Sequence, residues 1–118
     1  MTQKFKTGEI WLANLNPTKG TEPGKTRPVL IIQDQILLDI QHPSTLIVPL
    51  TTNLIEDANP LRIRIKAQEK LKKDSDLLID QIRTIDNKRF AHGPLVKLTK
   101  QQMRMVYEAV FEVIGAEL

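Results

Sequence analysis

The sequence predicts a small, mainly β fold that ends in one α-helix. Short apolar segments follow one another closely between clusters of turn residues, and a helical spacing of apolar residues occurs only near the end of the chain. With 118 residues, the chain is long enough for one hydrophobic core but too short for two ordinary ones. We therefore expect a single domain that spans residues 1–118.

The predicted strands follow one another from residue 8 to residue 98. "RPVLIIQD", residues 27–34, is apolar on both faces after its first residues, which predicts a central strand because side chains alternate between faces. The proline at its start removes only one ladder donor. The other predicted strands lie in "GEIWLANL", "TLIVPLTTN", "LRIRIK", "DLLIDQIRTID" and "PLVKL", which are residues 8–15, 45–53, 61–66, 76–86 and 94–98.

The helix is predicted at the end of the chain. Thr99 and Gln102 have the spacing of a capping box, and Gly115 stands where a C-terminal cap is expected. One helix face carries the apolar residues Met103, Val106, Tyr107, Val110 and Ile114. We expect this helix to cover one face of a strongly curved antiparallel sheet, with Trp11 or Phe90 nearby.

Composition excludes several classes of protein. No apolar run approaches the roughly 20 residues that span a bilayer, and the opening "MTQKFKTGE" lacks the apolar core of a signal peptide. The chain has no cysteine and therefore no disulfide or thiolate metal site, which agrees with a reducing compartment. We expect a cytoplasmic protein without a membrane association.

Positive charge is concentrated in one part of the chain. The net charge is +3 and the sequence pI is about 9.3, so the surface is expected to attract polyanions in a salt-dependent way. The densest basic stretch is "RIRIKAQEKLKK", residues 62–73. The apolar and charged residues of its strand alternate. We therefore expect one set of side chains to point inward, namely Leu61, Ile63 and Ile65. The other set is expected to point outward, namely Arg62, Arg64 and Lys66. This stretch is either a nucleic-acid contact or an ordinary solvated strand and turn.

Most familiar catalytic signals are missing from the sequence. It has no cysteine nucleophile, no glycine-rich phosphate loop and no close cluster of histidines and carboxylates, so we expect no metal and no cofactor. His42 and His92 lie in the turn-like "QHPS" and "AHGP". Ordinary loop histidines are the favoured interpretation, and acid/base catalysis is the alternative.

Arg27 is the first candidate for function. It joins the turn-rich "NPTKGTEPGKT", residues 16–26, to an apolar strand, and loops of that length are uncommon in compact domains unless they bind something. A guanidinium held at the end of a rigid strand is suited to bind an anion such as a phosphate. A surface salt bridge to Glu22 is the alternative explanation for an arginine at this position. Because arginine stays protonated, it is a poor proton acceptor.

Two threonines and one aspartate are weaker candidates. Thr51 and Thr52 close a predicted strand, where threonine is common, but a hydroxyl beside Arg27 could donate to a phosphate oxygen. Strand alternation places the Asp80 side chain on the same strand face as Leu78 and Ile82. A carboxylate among aliphatic side chains needs a partner or a raised pKa, so Asp80 is either an ion-pair residue or a base.

Three segments together resemble the MazF/PemK family of toxin endoribonucleases from bacterial toxin–antitoxin pairs. They are "GEIWLANLNPTKGTEPGKTRPVLII", "VPLTT" and "DQIRTIDNKRF", which occur in order between residues 8 and 90. The resemblance implies an SH3-like barrel with a C-terminal helix, a homodimer and a cognate antitoxin. It also implies metal-independent cleavage of single-stranded RNA, in which the 2'-hydroxyl attacks and leaves 2',3'-cyclic phosphate and 5'-hydroxyl ends.

The resemblance also implies which residues form the active site. Arg27 and Thr51 match the family's central pair. Asp80 matches a carboxylate that some relatives use as a base, but Leu78 stands where those relatives have an arginine. Arg83 is either structural or RNA-binding. The expected substrate-binding residues are Thr18, Lys19, Lys25, Thr26, Thr52, Asn53, Gln81 and Arg83, with Arg62, Arg64 and Lys66 as further RNA contacts.

Two alternatives to RNA cleavage stay open on the sequence. Related barrels inhibit DNA gyrase by binding it, and a degenerate member of the family would bind only RNA or an antitoxin. Gyrase binders generally lack the arginine and threonine pair, so the presence of Arg27 and Thr51 favours the nuclease.

Overall fold

The computed structural model describes residues 4–16, 20–21 and 25–117. In this part of the chain, two α-helices, α1 and α2, accompany seven strands, β1 to β7, that form one antiparallel sheet. The strands are Glu9–Asn14, Thr26–Ile31, Ser44–Thr51, Arg62–Ile65, Ser75–Leu78, Arg83–Asp86 and Phe90–Lys97, and the helices are Gln35–Asp39 and Lys100–Ile114. The prediction of a mainly β fold with a C-terminal helix is confirmed.

The strand order places β2 and β3 in the middle of the sheet. Neighbouring strands follow the order β4-β5-β3-β2-β1-β7, and β6 also pairs with β3. The first half of β3 lies beside β6, while its last two residues lie beside β5. Val29, Leu30 and Ile31 of β2 are completely buried, which confirms the predicted central strand.

Two apolar clusters form on opposite sides of β1 and β2. Ile10 and Leu30 belong to the cluster that contains Met103, Val106 and Ala109 of α2. The second cluster contains Trp11, Val29 and Phe90, and Phe5 packs against both aromatic rings. The prediction that Trp11 or Phe90 lies near the helix is therefore wrong. Ile10 faces the helix, so the alternation of β1 directs Trp11 to the other side.

Helix α2 begins and ends as predicted. The Thr99 hydroxyl accepts from the backbone N–H of Gln102 at 3.1 Å, and the Gln102 side chain accepts from the Thr99 N–H at 2.9 Å. Gly115 adopts the left-handed conformation at φ +70°. Of the predicted apolar face, Met103 and Val106 are buried, whereas Tyr107 and Ile114 are exposed. None of the described helices is long and apolar enough to cross a membrane.

Three local predictions need correction. Helix α1, which the sequence did not predict, has only five residues and buries none of them, so it leaves no periodic signal. The segment predicted as one strand at residues 76–86 contains two, β5 and β6, separated by a 3-10 turn at Ile79–Gln81. Leu61 precedes β4 and is half exposed, although Ile63 and Ile65 point inward as expected.

Candidate active site

Arg27 is the second residue of β2 and is partly buried at the end of the sheet. Its Nη1 donates to the backbone carbonyl of Leu50 at 3.3 Å, which ties the guanidinium to β3. Burial lowers the pKa of Arg27 from its ordinary value. A guanidinium that is already partly dehydrated gives up less hydration when it binds an anion. Glu22, the alternative salt-bridge partner, lies outside the described residues.

Thr51 ends β3 on the strand next to Arg27. Val29 is paired with Pro49 in the β2–β3 ladder, and the same register continued by two residues places Arg27 opposite Thr51. Directly opposite residues point to the same face of a sheet. The Thr51 hydroxyl oxygen accepts from the Asn53 N–H at 3.1 Å, so its own proton is available to another acceptor.

This pair belongs to a longer row of side chains across the sheet. Thr51 is paired with Asp76 of β5, and Asp76 is paired with Arg64 of β4. On the other side, Arg27 is paired with Ala13 of β1. Ala13 belongs to the cluster that lies away from α2. Arg64, Asp76, Thr51 and Arg27 thus form one cross-strand row on the face opposite the helix.

Four of the described substrate-binding candidates flank this row. Lys25 and Thr26 precede Arg27, and Thr52 and Asn53 follow Thr51, and all four are exposed. Because β2 and β3 are antiparallel, the beginning of β2 and the end of β3 lie at the same end of the sheet. These four residues therefore gather around the Arg27–Thr51 pair. Thr18 and Lys19 lie outside the described residues.

Gln81 and Arg83 lie along the other side of β3. Gln81 ends the 3-10 turn, and Arg83 is paired with Ile47, four positions before Thr51. At about 3.3 Å per residue, the Arg83 position lies roughly 13 Å from Thr51 along the strand. The Arg83 side chain points to the same face as the row, but its backbone position is farther from Thr51 than that of Arg27.

The environment predicted for Asp80 is wrong. Asp80 lies in the 3-10 turn at Ile79–Gln81, where its side chain is exposed rather than packed beside Leu78 and Ile82. The turn interrupts the alternation that the sequence pattern suggested. A solvated carboxylate needs no buried partner, so the physical reason for singling out Asp80 disappears.

Sequence reasoning missed Asp76, which is the buried carboxylate of this region. Its side chain is only 1% exposed, and it forms salt bridges to Arg62 at 3.3 Å and Arg64 at 2.5 Å. Burial alone would raise the pKa of Asp76, but hydrogen bonds from Arg64, the Ile55 N–H and Arg62 outweigh it, and the pKa is lowered. Arg62 and Arg64 were predicted to point into solvent as RNA contacts. They instead bind this carboxylate and are partly buried.

The described residues offer no metal-ligand cluster. No group of three histidine, cysteine, aspartate or glutamate side chains comes together in this part of the chain. His42 lies in the loop between α1 and β3 and is exposed, as expected for a loop histidine. His92 is also exposed, but it lies in β7 opposite Leu12 rather than in a loop.

Comparison with known proteins identifies the family. The family model described as "PemK-like, MazF-like toxin of type II toxin-antitoxin system" matches residues 6–114. The chain belongs to this family. A protein named Endoribonuclease MazF from Staphylococcus saprophyticus is 37% identical to this MazF-like chain over 113 residues, which cover 94% of the chain and 92% of that relative. The family predicted from the three sequence motifs is confirmed.

Solved structures share the fold of this MazF-like chain. MazF from Deinococcus radiodurans has a TM-score of 0.80 at 18% identity, over 97% of this chain and 99% of that structure. An endoribonuclease from a mycobacterial species, solved in complex with its cognate antitoxin, has a TM-score of 0.73 at 16% identity, with 99% of both chains covered. At these identities the likeness is one of fold.

Proposed function

We propose that this MazF-like toxin cleaves single-stranded RNA with the RNA's own 2'-hydroxyl as the nucleophile. Membership of the family and 37% identity to Endoribonuclease MazF make the chain a MazF-like endoribonuclease. The observation that carries the proposal is the hydrogen bond from Arg27 to the carbonyl of Leu50, the residue before Thr51, at the end of the sheet where the β2–β3 register brings the two positions together. A guanidinium and a hydroxyl side by side can bind the two non-bridging oxygens of one phosphate.

The proposed reaction needs no nucleophile from the protein. The 2'-oxygen attacks the adjacent phosphorus, the bond from phosphorus to the 5'-oxygen breaks, and the products carry a 2',3'-cyclic phosphate and a 5'-hydroxyl. The 2'-hydroxyl loses its proton and the leaving 5'-oxygen gains one. Negative charge that builds on the phosphate oxygens in the transition state is stabilised by Arg27 and by the Thr51 hydroxyl.

Proton transfer falls to groups other than Arg27, because arginine stays protonated. Asp80 was a candidate for either an ion pair or a base. Its carboxylate is exposed at the 3-10 turn, so as a base it would act through a water molecule. We therefore propose that Asp80 contributes little and that solvent carries most of the proton transfer. Lys25, Thr26, Thr52 and Asn53 are proposed to contact the flanking nucleotides.

A homodimer and a cognate antitoxin are proposed as the protein partners. The mycobacterial relative was solved in complex with its cognate antitoxin, and Deinococcus radiodurans MazF was solved with MazE. The net charge of +3 suits an acidic partner segment, since opposite charges favour association. An antitoxin that covers the Arg27–Thr51 row would compete with RNA.

The proposal is tested by cleavage of a long single-stranded RNA in EDTA, with mapping of the new ends. Wild type is expected to cut at a repeated short sequence and to leave 5'-hydroxyl ends. Arg27→Ala is expected to lose at least about 1,000-fold in kcat, and Thr51→Val about 100-fold, because each removes a donor to the transition-state phosphate. Arg104→Ala, which changes an exposed arginine on α2, is the matched control and should cut normally.

Circular dichroism of each variant separates loss of chemistry from loss of fold. Folded wild type that makes no cuts would overturn the nuclease proposal and direct the next experiment to gyrase binding. Full activity in Arg27→Ala would show that another group stabilises the phosphate.

A further inference from the structure

A buried ion-pair cluster lies beside the end of β3. Asp76 Oδ1 accepts from Arg64 Nε, and Asp76 Oδ2 accepts from Arg62 Nη1 at 3.3 Å and from the Ile55 N–H at 3.0 Å. The carboxylate thus makes three hydrogen bonds from a position that is 1% exposed. Two of the donors are charged, and such hydrogen bonds are the strong ones in proteins.

The same cluster binds the chain that leaves β3. Arg62 Nη1 also donates to the Asn53 carbonyl at 2.8 Å. Arg64 Nη1 pairs with Glu56 at 3.1 Å, and its Nη2 donates to the Ile55 carbonyl at 3.4 Å. Together with the bond from Ile55 to Asp76, these contacts hold both sides of the backbone between Asn53 and Glu56. The course of this segment is therefore set by the cluster.

Thr51 is connected to this segment and to Asp76 itself. Its hydroxyl accepts from the Asn53 N–H, and Asn53 is held through its carbonyl by Arg62. Across the sheet, Thr51 is the backbone partner of Asp76. The backbone of Asp76 is thus paired with Thr51 in the β3–β5 ladder, and its carboxylate reaches Thr51 through Arg62 and Asn53 in the turn after β3.

We propose that Asp76 is a positioning residue for RNA cleavage, which holds Thr51 and the segment after it in place against the scissile phosphate. The proposal rests on the proposed nuclease function. Asp76 itself is buried and does not touch RNA. Its effect reaches the reaction through Arg62, Asn53 and the direction of the Thr51 hydroxyl.

A positioning role and a purely structural role predict different kinetics. If Asp76 only stabilises the fold, a folded variant should cleave RNA normally below its melting temperature. If Asp76 positions Thr51, a folded variant should lose kcat while KM changes little, because an interaction made in the transition state is misaligned. A misplacement of about 1 Å can cost about 100-fold in rate.

The test compares Asp76→Asn with a variant that is destabilised on the other face of the sheet. Val106→Ala is that control, because Val106 is completely buried in the cluster with α2, away from the row. Both variants are assayed as full-length protein on a short single-stranded RNA, well below their melting temperatures. Asp76→Asn is expected to lose about 100-fold in kcat, and Val106→Ala less than about threefold.

A second variant keeps the test decisive if Asp76→Asn does not fold. Arg62→Met removes the hydrogen bond to the Asn53 carbonyl and leaves Asp76 with Arg64 and Ile55. It is expected to lose about tenfold in kcat, and the Asn53 and Ile55 amide signals should shift in nitrogen–proton spectra.

The outcomes separate the two proposals. Wild type that cuts RNA together with folded Asp76→Asn and Arg62→Met variants that match Val106→Ala would overturn the positioning role and leave the nuclease intact. Wild type that makes no cuts would overturn the nuclease and this role together.

Discussion

Single residues in this toxin show which parts of the site a sequence can predict. Arg27 was expected at the start of one strand and Thr51 at the end of another, and the β2–β3 register, continued two residues beyond Val29 and Pro49, brings those two positions together. Asp76 could not be identified in this way, because its two arginines lie on another strand. Their pairing depends on the β4–β5 register, which the sequence pattern does not contain.

Asp80 provides the sharpest prediction at the residue scale. Its exposed position outside the Arg27–Thr51 row predicts that Asp80→Asn lowers kcat by less than about tenfold, since loss of a true general base costs about 100- to 10,000-fold. Steady-state cleavage from pH 5 to 9 measures this. A loss of 100-fold or more, with the acidic side of the pH profile removed, would identify Asp80 as the base.

At the scale of elements, continuous patterns were predictable and interruptions were not. The 15 residues of α2 repeat one apolar spacing and carry a capping box, so both ends were predicted. Helix α1 has five residues without a buried face, and the 3-10 turn at Ile79–Gln81 breaks a run that reads as one strand. Short elements of this kind depend on contacts with neighbouring strands rather than on their own periodicity.

Arg89 binds the backbone where the β1–β2 connection begins. Its Nη1 donates to the carbonyls of Asn14 at 3.1 Å and Asn16 at 2.5 Å, at the point where the loop begins. Arg89→Ala should loosen the loop and raise KM for RNA about tenfold with kcat little changed, because the loop is proposed to bind the substrate rather than the transition state. Protection of the Leu15 amide, which donates to Lys25, should fall in hydrogen exchange.

Arg89→Lys is the matched control for this element. The lysine ammonium can keep a hydrogen bond to one of the two carbonyls, so we expect a KM between those of wild type and Arg89→Ala. Unchanged KM and unchanged exchange in Arg89→Ala would show that the loop keeps its position without this contact.

At the scale of the whole molecule, the two faces of the sheet differ in what they carry. One face packs α2 over a continuous apolar cluster, while the other carries the second apolar cluster and the Arg64–Asp76–Thr51–Arg27 row. Sequence alternation predicted that the strands have two faces, but it could not assign Trp11 and Phe90 to the face without the helix. That assignment depends on which face of the sheet α2 packs against, and alternation within one strand does not contain this information.

Asp76 links the stability of the whole molecule to pH. Its pKa is lowered in the folded protein, so the folded state holds its carboxylate ionised more strongly than the unfolded chain does, where the pKa is about 3.9. The resulting stabilisation is complete above that unfolded pKa and is lost as the pH falls through the lower, folded pKa. Wild type should therefore lose free energy of unfolding below about pH 4.

Asp76→Asn should remove this dependence. At pH 7 the variant is expected to be about 3 kcal/mol less stable than wild type, the low end for breaking a buried ion pair, because both arginines stay partly exposed. The gap should narrow as the pH falls below about 4, because the carboxyl becomes protonated first in the unfolded chain and, at lower pH, in the folded wild type. Urea unfolding of both proteins between pH 2.5 and 7 measures the gap. A gap that stays constant across this range would show that the charge of Asp76 adds nothing to stability and that its hydrogen bonds alone hold the segment after β3.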